Sequence, residues 1–367
     1  MRDHLLLYIN GRPQEVRGAA VFEPLTTYLR ETLRLTGTKI VCSEGDCGSC
    51  TVLLGRPDVD GKTIAYRPVC GCIQYLGQLD AMHVVTVEGL ADERCPSRLN
   101  AVQRALVKNQ GTQCGFCTPG FVVAMTAHLD EQPRPTRQTL TRALTGNLCR
   151  CTGYDSILAA GMDVAPSDLQ PLSERFDTPA IARHLARLDR EAVEVRFGEQ
   201  LFCKPTTVQD AAACRARHAG AIVISGGTDI GVQLNKRMRT LTTLLSTAAL
   251  HDLEALRVEQ RTIVAGARVS LSALQLVTAR ELPEFGKMLE NFGSPLIRNA
   301  GTIGGNLANG SPIGDTMPGM FVLNAQVELA GKNGRRRVNI NDFYTAYRKT
   351  VMAGDELIAG VRIPLPA

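Results

Sequence analysis

Cysteine is the side chain whose spacing most directly suggests chemistry here, and four cysteines lie in two short glycine-containing motifs. One motif is Gly111-Thr-Gln-Cys-Gly-Phe-Cys-Thr-Pro-Gly120 and the other is Asn147-Leu-Cys-Arg-Cys-Thr-Gly153. Two thiols separated by two residues can bind one metal from a single turn, and neighbouring glycines let backbone N–H groups approach the bound atoms. The motifs therefore predict one metal or iron–sulfur site. Its thiols are Cys114, Cys117, Cys149 and Cys151.

A second group of cysteines, nearer the N-terminus, has the spacing Cys-x4-Cys-x2-Cys followed by a distant cysteine. Its members are Cys42, Cys47, Cys50 and Cys72. This is the plant-type ferredoxin spacing for a [2Fe–2S] cluster. Cys70 competes with Cys72 for the fourth position, and we prefer Cys72. Zinc is the alternative for both groups, but structural zinc sites usually pair their cysteines as two short knuckles, and Cys-x-Cys is an unusual zinc spacing.

Two glycine-rich loops in the C-terminal half have the composition of a nucleotide-binding site. Residues 221–231 are a short apolar run that ends in consecutive glycines, and residues 301–315 add four glycines before Ser311. The exposed N–H groups of such loops can bind a diphosphate. Neither loop matches G-x-G-x-x-G or G-x-x-x-x-G-K-[ST], so a Rossmann fingerprint and a P-loop are both absent. For each loop alone, a tight turn is the alternative.

The elements that must position these motifs begin with two units of different pattern. Residues 1–87 alternate short apolar runs with turns, such as the run before the Asn10-Gly11 hairpin, and predict a small mixed α+β unit. Residues 88–162 have helical periodicity, with one helix that begins at Thr118-Pro119 and another from Thr136 to Gly146. The second group of thiols is therefore expected at helix ends.

The remaining chain is predicted to be a linker and a third unit. Residues 163–195 are rich in proline and charge and predict a partly helical linker that runs over the surface. Residues 196–367 alternate strand and helix patterns around the two glycine loops. The basic run from Lys332 to Arg337 predicts a hairpin tip.

Length and composition exclude several function classes. A chain of 367 residues is too long for one ordinary core, so we expect two or three domains. The net charge is +5, but the basic residues are scattered and not interleaved with aromatics, which argues against nucleic-acid binding. No apolar stretch is long enough to span a bilayer, and the N-terminus predicts a strand and not a secretory peptide, so we expect a cytoplasmic protein. Twelve cysteines then favour metal sites over disulfides, because cytosolic thiols are kept reduced.

Taken together and in this order, the motifs resemble those of the molybdenum hydroxylase family, specifically the small iron–sulfur and flavin subunit of bacterial xanthine dehydrogenases. The resemblance covers nearly all of the chain. Its most specific segments are Cys42 to Cys50, Gln113 to Gly120, Asn147 to Tyr154, Ser225 to Asp229 and Thr302 to Asn306.

The resemblance implies an α+β multidomain chain with three cofactor-binding domains. They are a ferredoxin-like β-grasp domain over 1–87, a helical-bundle domain over 88–162, each with a [2Fe–2S] cluster, and an α+β FAD-binding domain of the vanillyl-alcohol-oxidase (PCMH) type over 196–367. Relatives continue past the equivalent of residue 367 into a third flavin subdomain. We therefore expect this chain alone to retain flavin weakly.

The resemblance also implies which residues bind each cofactor. The iron ligands are Cys42, Cys47, Cys50, Cys72, Cys114, Cys117, Cys149 and Cys151. The flavin contacts are Val223, Ile224, Ser225, Gly226, Gly227, Thr228, Asp229, Ile230, Phe292, Thr302, Ile303, Gly304, Gly305, Asn306 and Asp315. Gln113 is implied to face the molybdopterin. Pro295 and Leu296 replace polar residues expected beside Phe292, which predicts an altered lining of the flavin site. No residue of this chain is implied to be an acid or base of the hydroxylation.

The implied function is electron transfer for a partner. A large subunit would hold molybdopterin and molybdenum and hydroxylate the substrate with oxygen from water. Electrons would pass to the Cys114 group, to the Cys42 group, to FAD and finally to NAD+. A flavin is needed because the substrate delivers two electrons at once whereas each cluster carries one.

Architecture favours a purine substrate, because in this family xanthine dehydrogenases resemble this chain in placing clusters and flavin together. We also expect a dimer of heterodimers. The alternatives are a related molybdenum hydroxylase that acts on aldehydes, N-heterocycles or aromatic thioesters, a self-contained NADH-dependent iron–sulfur flavoprotein reductase, and a zinc-stapled scaffold without enzymatic activity.

Overall fold

A computed structural model describes residues 1–58 and 61–366 as a mixed α/β chain. The first sheet has the strand order β2-β1-β5-β3-β4, in which β1 and β5 are parallel and the other neighbours antiparallel. Asn10 and Gly11 both have positive φ, as a tight hairpin turn requires, so the predicted β1–β2 hairpin is confirmed. The strands are β1 (Leu5–Ile9), β2 (Arg12–Val16), β3 (Thr51–Pro57), β4 (Ile64–Cys70) and β5 (His83–Val85), with helix α1 (Leu25–Thr27) and a π-helical turn (Tyr28–Thr32) between β2 and β3.

Four helices cover one face of this sheet. They are α2 (Ala101–Lys108), α3 (Thr118–Glu131), α4 (Arg137–Ala143) and α5 (Asp155–Met162). The start of α3 agrees with the prediction, since Pro119 occupies its first turn, where no N–H donor is needed. Thr136 caps α4 by accepting a hydrogen bond from the N–H of Thr139. That helix ends at Ala143, three residues before the predicted Gly146.

The segment predicted to be a surface linker, 163–195, is more closely packed than expected. It contains α6 (Leu172–Arg175) and the amphipathic α7 (Thr178–Asp189). Ile181, Leu185 and Leu188 of α7 are buried, and α7 packs on strands of the first sheet. The apolar face of α7 is covered while its polar residues face solvent, so this part of the segment is packed; the assignment of 163–195 as a linker stays a prediction.

A four-stranded sheet with the order β6-β7-β9-β8 packs on the opposite side of the first sheet. Phe202, Leu244 and Ile224 join Leu5 and Leu7 in one apolar core. The first sheet is therefore enclosed between the helices and this second sheet. The new elements are β6 (Val193–Phe197), β7 (Gln200–Lys204), α8 (Val208–Arg217), β8 (Ile222–Ile224), α9 (Ile230–Asn235) and β9 (Thr243–Ser246).

The C-terminal part is an antiparallel sheet, β10-β11-β16-β12-β13, packed against helices. The β12–β13 hairpin contains the basic run, as predicted. Its elements are β10 (Leu256–Glu259), β11 (Thr262–Gly266), α10 (Leu271–Glu281), α11 (Pro283–Asn291), α12 (Pro295–Arg298), α13 (Ile303–Asn309), α14 (Thr316–Val322), β12 (Gln326–Gly331), β13 (Gly334–Asn339), α15 (Ile340–Phe343), β14 (Tyr344–Ala346), β15 (Lys349–Thr350) and β16 (Leu357–Pro364).

The prediction of a chain that combines helices with sheets is confirmed. The descriptions of its parts as β-grasp, helical-bundle and vanillyl-alcohol-oxidase type stay predictions, as do the domain boundaries. Among the described residues, no helix combines the length and the apolar character needed to cross a membrane.

Candidate functional site

The first group of cysteines lies where the loop before β3 meets the short turn after β4. Side-chain contacts pair the thiol of Cys42 with that of Cys47, and the thiol of Cys50 with that of Cys72. Cys50 and Cys72 are buried, whereas Cys42 and Cys47 are partly exposed. The four predicted ligands are therefore brought together as two pairs.

Backbone N–H groups surround the Cys42 sulfur. Burial opposes ionisation of Cys42, but hydrogen bonds from the N–H groups of Glu44, Cys47 and Asp46 outweigh it and lower the pKa of this thiol. Ser43 and Gly45 have positive φ, which turns the loop so that successive N–H groups point inward. Such donors stabilise the thiolate that a metal requires.

Cys70 is close to the same group but has a different partner. Its thiol donates to the carbonyl oxygen of Gly45 at 3.2 Å. Cys72 instead accepts from the N–H of Gly45, although contact with Cys50 and burial together raise its pKa. Contact with Cys70 is the largest influence that raises the pKa of Cys50. Cys70 thus donates to the backbone of Gly45, whereas Cys72 accepts a hydrogen bond from it.

The second group of cysteines also forms two pairs. The sulfurs of Cys114 and Cys151 are 3.6 Å apart and exposed. Cys117, just before α3, contacts Cys149, and burial together with that contact raises the pKa of Cys117 to about 12. Burial opposes ionisation of Cys149, but hydrogen bonds from Thr152 and Cys151 outweigh it and lower its pKa.

Both groups fit a [2Fe–2S] cluster by the arrangement of their thiols. Each iron of such a cluster takes two thiolates, so a protein must present four thiols as two pairs.

All twelve cysteines of the chain lie in the described residues and are free thiols. No group of three or more His, Cys, Asp or Glu side chains in residues 1–58 and 61–366 is arranged to hold a metal ion as one coordinated centre.

The two cysteine groups are joined directly by their backbones. The N–H of Leu148, beside Cys149, donates to the carbonyl oxygen of Cys47 at 3.0 Å. The side chain of Asn147 donates to the carbonyl oxygen of Gly48 at 3.0 Å. A Cβ on Gly48 would lie 2.2 Å from the Gly146 oxygen, so only glycine permits this approach. These two hydrogen bonds thus connect segments that carry ligands of different groups.

The glycine loops line one cavity of about 710 Å³. Gly226 brings the loops together, because a Cβ there would lie 1.9 Å from the Ala300 oxygen. The predicted flavin residues that line this cavity are Val223, Ser225, Gly226, Gly227, Thr228, Asp229, Ile230, Phe292, Thr302, Gly304, Gly305 and Asn306.

The cavity suits a diphosphate by its donors and its charge. Within the described residues, the N–H groups of Gly226, Gly227 and Thr228 have no protein acceptor. Unpartnered N–H groups in a loop of this kind bind phosphate oxygens. Four arginines line the cavity against a single carboxylate, Asp229. The residues present therefore fit the diphosphate of FAD.

Several predicted flavin residues lie elsewhere. Ile224 and Ile303 are buried in the apolar cores below the loops, and the exposed Asp315 does not line the cavity. Pro295 and Leu296, which were predicted to alter the flavin lining, do not line this cavity. Leu296 is buried against Cys50, Cys70 and Cys72, and its neighbour Ile297 faces the cavity instead. Gln113, which is implied to face the molybdopterin and not the flavin, is exposed and directly precedes Cys114 of the second cysteine group.

Sequence reasoning missed one wall of the cavity. It is formed by the β14–β15 hairpin and the loop that follows, which contribute Arg348, Thr350, Met352, Ala353 and Gly354. Arg215 of α8 and the buried Arg268 were missed as well. No spacing signal marks these residues, because they reach the cavity from separate elements.

Comparison with known proteins identifies two domains. The family described as "[2Fe-2S] binding domain" matches residues 86–162, and "FAD binding domain in molybdopterin dehydrogenase" matches residues 195–366. Xanthine dehydrogenase/oxidase of Gallus gallus is 28% identical over 99% of this chain and 32% of that protein. Xanthine dehydrogenase of Drosophila subobscura is 32% identical over 97% of this chain and 30% of that protein.

The chain therefore spans about a third of the length of the curated relatives it matches. Among solved structures, a cyanide-inactivated Cu,Mo-CO dehydrogenase aligns with 32% identity over 45% of this chain and 59% of that chain, with a TM-score of 0.44. The chain thus contains a [2Fe–2S]-binding domain and an FAD-binding domain of the kind found in molybdopterin dehydrogenases, and it is similar to the xanthine dehydrogenases named above.

Proposed function

We propose that this chain carries electrons from a molybdopterin-containing partner through two [2Fe–2S] clusters to FAD, and from there to NAD+. One observation carries the proposal. The segment of the Cys114 group contacts that of the Cys42 group, and the latter contacts the helix that borders the glycine-lined cavity. The first contact is the hydrogen bond between Leu148 and Cys47, and the second joins helix α9 to the turn that contains Cys72.

The residues assigned to each cofactor follow from the pairs and donors described above. Cys114, Cys117, Cys149 and Cys151 would hold the cluster nearer the partner, and Cys42, Cys47, Cys50 and Cys72 the cluster nearer the flavin. The N–H groups of Gly226 and Gly227 would hold the diphosphate of FAD. Flavin supplies the step from single electrons to a hydride, which iron–sulfur clusters cannot perform.

The partner would dock on the Cys114 side. Gln113, Cys114 and Cys151 are exposed, whereas Cys50 and Cys72 of the other group are buried. A cluster that receives electrons from another chain must lie near the surface that this chain covers. We therefore place the molybdopterin of a large subunit opposite Gln113, with two such pairs of subunits forming the complete enzyme.

A purine is the proposed substrate, with oxidation of hypoxanthine and xanthine to urate as the reaction of the complete enzyme. The curated relatives named above are xanthine dehydrogenases, and their similarity extends over nearly the whole of this chain. The partner holds the substrate, so an aldehyde or another N-heterocycle is the alternative outcome of the same test.

The test is the anaerobic visible spectrum of the complex purified from its own cells, before and after addition of xanthine. We expect the iron–sulfur and flavin bands to bleach, and NAD+ to restore them. Bleaching by NADH but not by xanthine would contradict the purine assignment and leave the electron path intact. A colourless protein without these bands would contradict the proposal and support the zinc-stapled scaffold.

A further inference from the structure

The short helix α9 connects the cavity with the first cysteine group. Its first residue, Ile230, lines the cavity. Gly231 lies against the backbone of Ile73, and a Cβ there would be 2.4 Å from the Ile73 oxygen. The last residue of the helix, Asn235, lies beside the loop that carries Cys42. One element thus spans the gap between two proposed cofactors.

The amide nitrogen and the amide oxygen of Asn235 both make hydrogen bonds at this junction. Its Nδ2 donates to the carbonyl oxygen of Ser43 at 2.8 Å and to that of Cys72 at 2.9 Å. Its Oδ1 accepts from the hydroxyl of Tyr75 at 3.0 Å. The two acceptors belong to the two separate segments that supply the first cysteine group, so one side chain holds both segments to the helix.

We infer that Asn235 is a positioning residue that sets the separation and the electrostatic surroundings of the Cys42 cluster relative to the flavin. The inference rests on the proposed function. In the step concerned, one electron leaves the reduced flavin or returns to it, and one iron of the cluster changes between Fe(III) and Fe(II).

Two physical effects follow from the contacts. The amide ties the segment of Cys72 to the flavin helix, and a misplacement of reacting groups by about 1 Å can slow a reaction by about a hundredfold. The amide N–H groups also point at carbonyl oxygens next to the cluster thiols. Hydrogen bonds and charge near the sulfurs set the potential of an iron–sulfur cluster.

An ion pair next to Asn235 also joins helix α9 to the loop of Cys42. Lys236 lies 3.0 Å from the carboxylate of Glu44 and 3.4 Å from the carbonyl oxygen of Cys42. Both side chains of this pair are substantially exposed, and exposed pairs contribute little to stability. Asn235 is therefore the residue expected to control the geometry, and Lys236→Met serves as a comparison variant at the same junction.

The experiment uses the complete complex with Asn235→Leu, which keeps the size of the side chain and removes all three hydrogen bonds. The flavin is reduced photochemically in the absence of air, and electron redistribution to the clusters is followed by absorbance. We expect redistribution between the flavin and the Cys42 cluster to slow by about tenfold or more. Redox titration followed by electron paramagnetic resonance should show a shifted midpoint potential for that cluster alone, with wild-type iron and flavin content.

A second variant and two controls separate positioning from a general loss of structure. Asn235→Asp keeps the acceptor for Tyr75 but adds a negative charge, and is expected to lower the potential of the same cluster. Tyr75→Phe removes only the acceptor-side bond and is expected to keep a potential close to that of the wild type. Lys236→Met removes a positive charge next to Cys42, so it is expected to lower the potential but to leave the rate of redistribution close to that of the wild type.

Wild-type rates and potentials in both Asn235 variants would overturn the inference while leaving the proposed function intact. An equal shift at both clusters would also overturn it, because it would indicate a diffuse structural change. A wild-type complex without cluster or flavin bands would overturn the proposed function, and this inference with it.

Discussion

At the scale of single residues, the neighbouring thiols Cys70 and Cys72 show how contacts separate a ligand from a bystander. They are two positions apart and both buried. Both thiols contact Cys50, but Cys70 donates a hydrogen bond to the Gly45 oxygen, whereas the Cys72 sulfur accepts one from the Gly45 N–H. A metal ligand must be a thiolate, so a sulfur that accepts an N–H suits that role better than one that donates to a carbonyl.

Replacing these two cysteines in turn tests this assignment. Cys72→Ser is expected to remove the cluster of the Cys42 group, so that iron content falls from about four to about two atoms per chain. Cys70→Ser keeps a side-chain donor for the Gly45 oxygen, and both clusters should remain. Iron analysis and electron paramagnetic resonance of the two variants provide the measurement. Equal loss of iron in both would contradict the distinction, and loss in Cys70→Ser alone would reverse it.

At the scale of elements, a buried charge cluster holds the second sheet to the first. Lys204 of β7 and Asp80, in the turn before β5, are both fully buried and 2.5 Å apart. Arg2 binds the same carboxylate through two nitrogens at 2.8 Å. Removing one partner from a buried pair leaves the other charge without compensation, and this costs more than the pair itself contributes.

Asp80→Asn is therefore expected to lower the free energy of unfolding by about 3 to 5 kcal/mol, because Lys204 stays buried without its counter-ion. Asp163→Asn is the matched control, since Asp163 also pairs with a lysine, Lys108, but at the surface; the expected loss there is below about 1 kcal/mol. Denaturant unfolding followed by circular dichroism measures both. Adding Lys204→Met to Asp80→Asn should recover part of the loss, and a larger loss in the double variant would contradict the argument.

Elements with local signals were predictable from sequence, and packed elements were less so. The Asn10-Gly11 turn and the proline at the start of α3 act through backbone geometry within a few residues, so their positions agree with the structure. Residues 163–195, which include α7, were predicted to be a linker from their proline and charge content. The stability of an amphipathic helix such as α7 depends on a surface elsewhere in the chain. Tertiary contacts decided its place, and no local pattern reports them.

The same distinction applies to the candidate site. Glycines and cysteines have fixed spacings because one loop must surround one group, and the structure brings the predicted thiols together. Arg348 and Asn235 act through contacts with distant segments, so their neighbours in sequence carry no signal. Leu296 was assigned to the flavin lining from its proximity to Phe292, but successive residues of a helix face different directions, and it packs on the cysteines instead.

At the scale of the whole molecule, the surface around the second cysteine group has the character of an interface. Phe116 lies between Cys114 and Cys117 and is 49% exposed, and Leu148, beside Cys149, is 54% exposed. Val41 is exposed as well, and Lys39 places its amine 5.9 Å from the centre of the Phe116 ring. Exposed apolar side chains around a cofactor site mark a surface that a partner covers.

Phe116→Asp is consequently expected to weaken binding of the molybdopterin-containing partner by at least about 2 kcal/mol, or roughly thirtyfold in Kd, as for an aromatic residue at the centre of an interface. The visible bands of this chain should persist, because the Phe116 ring points outward and its loss leaves the four thiols in place.

Leu276→Asp is the matched control, since Leu276 of α10 is 70% exposed and lies in the flavin region. Co-purification and the rate of substrate-dependent bleaching distinguish the two variants. Equal retention of the partner by both would contradict this surface as the docking site, and loss of the cluster bands in Phe116→Asp would assign the ring to the cluster itself.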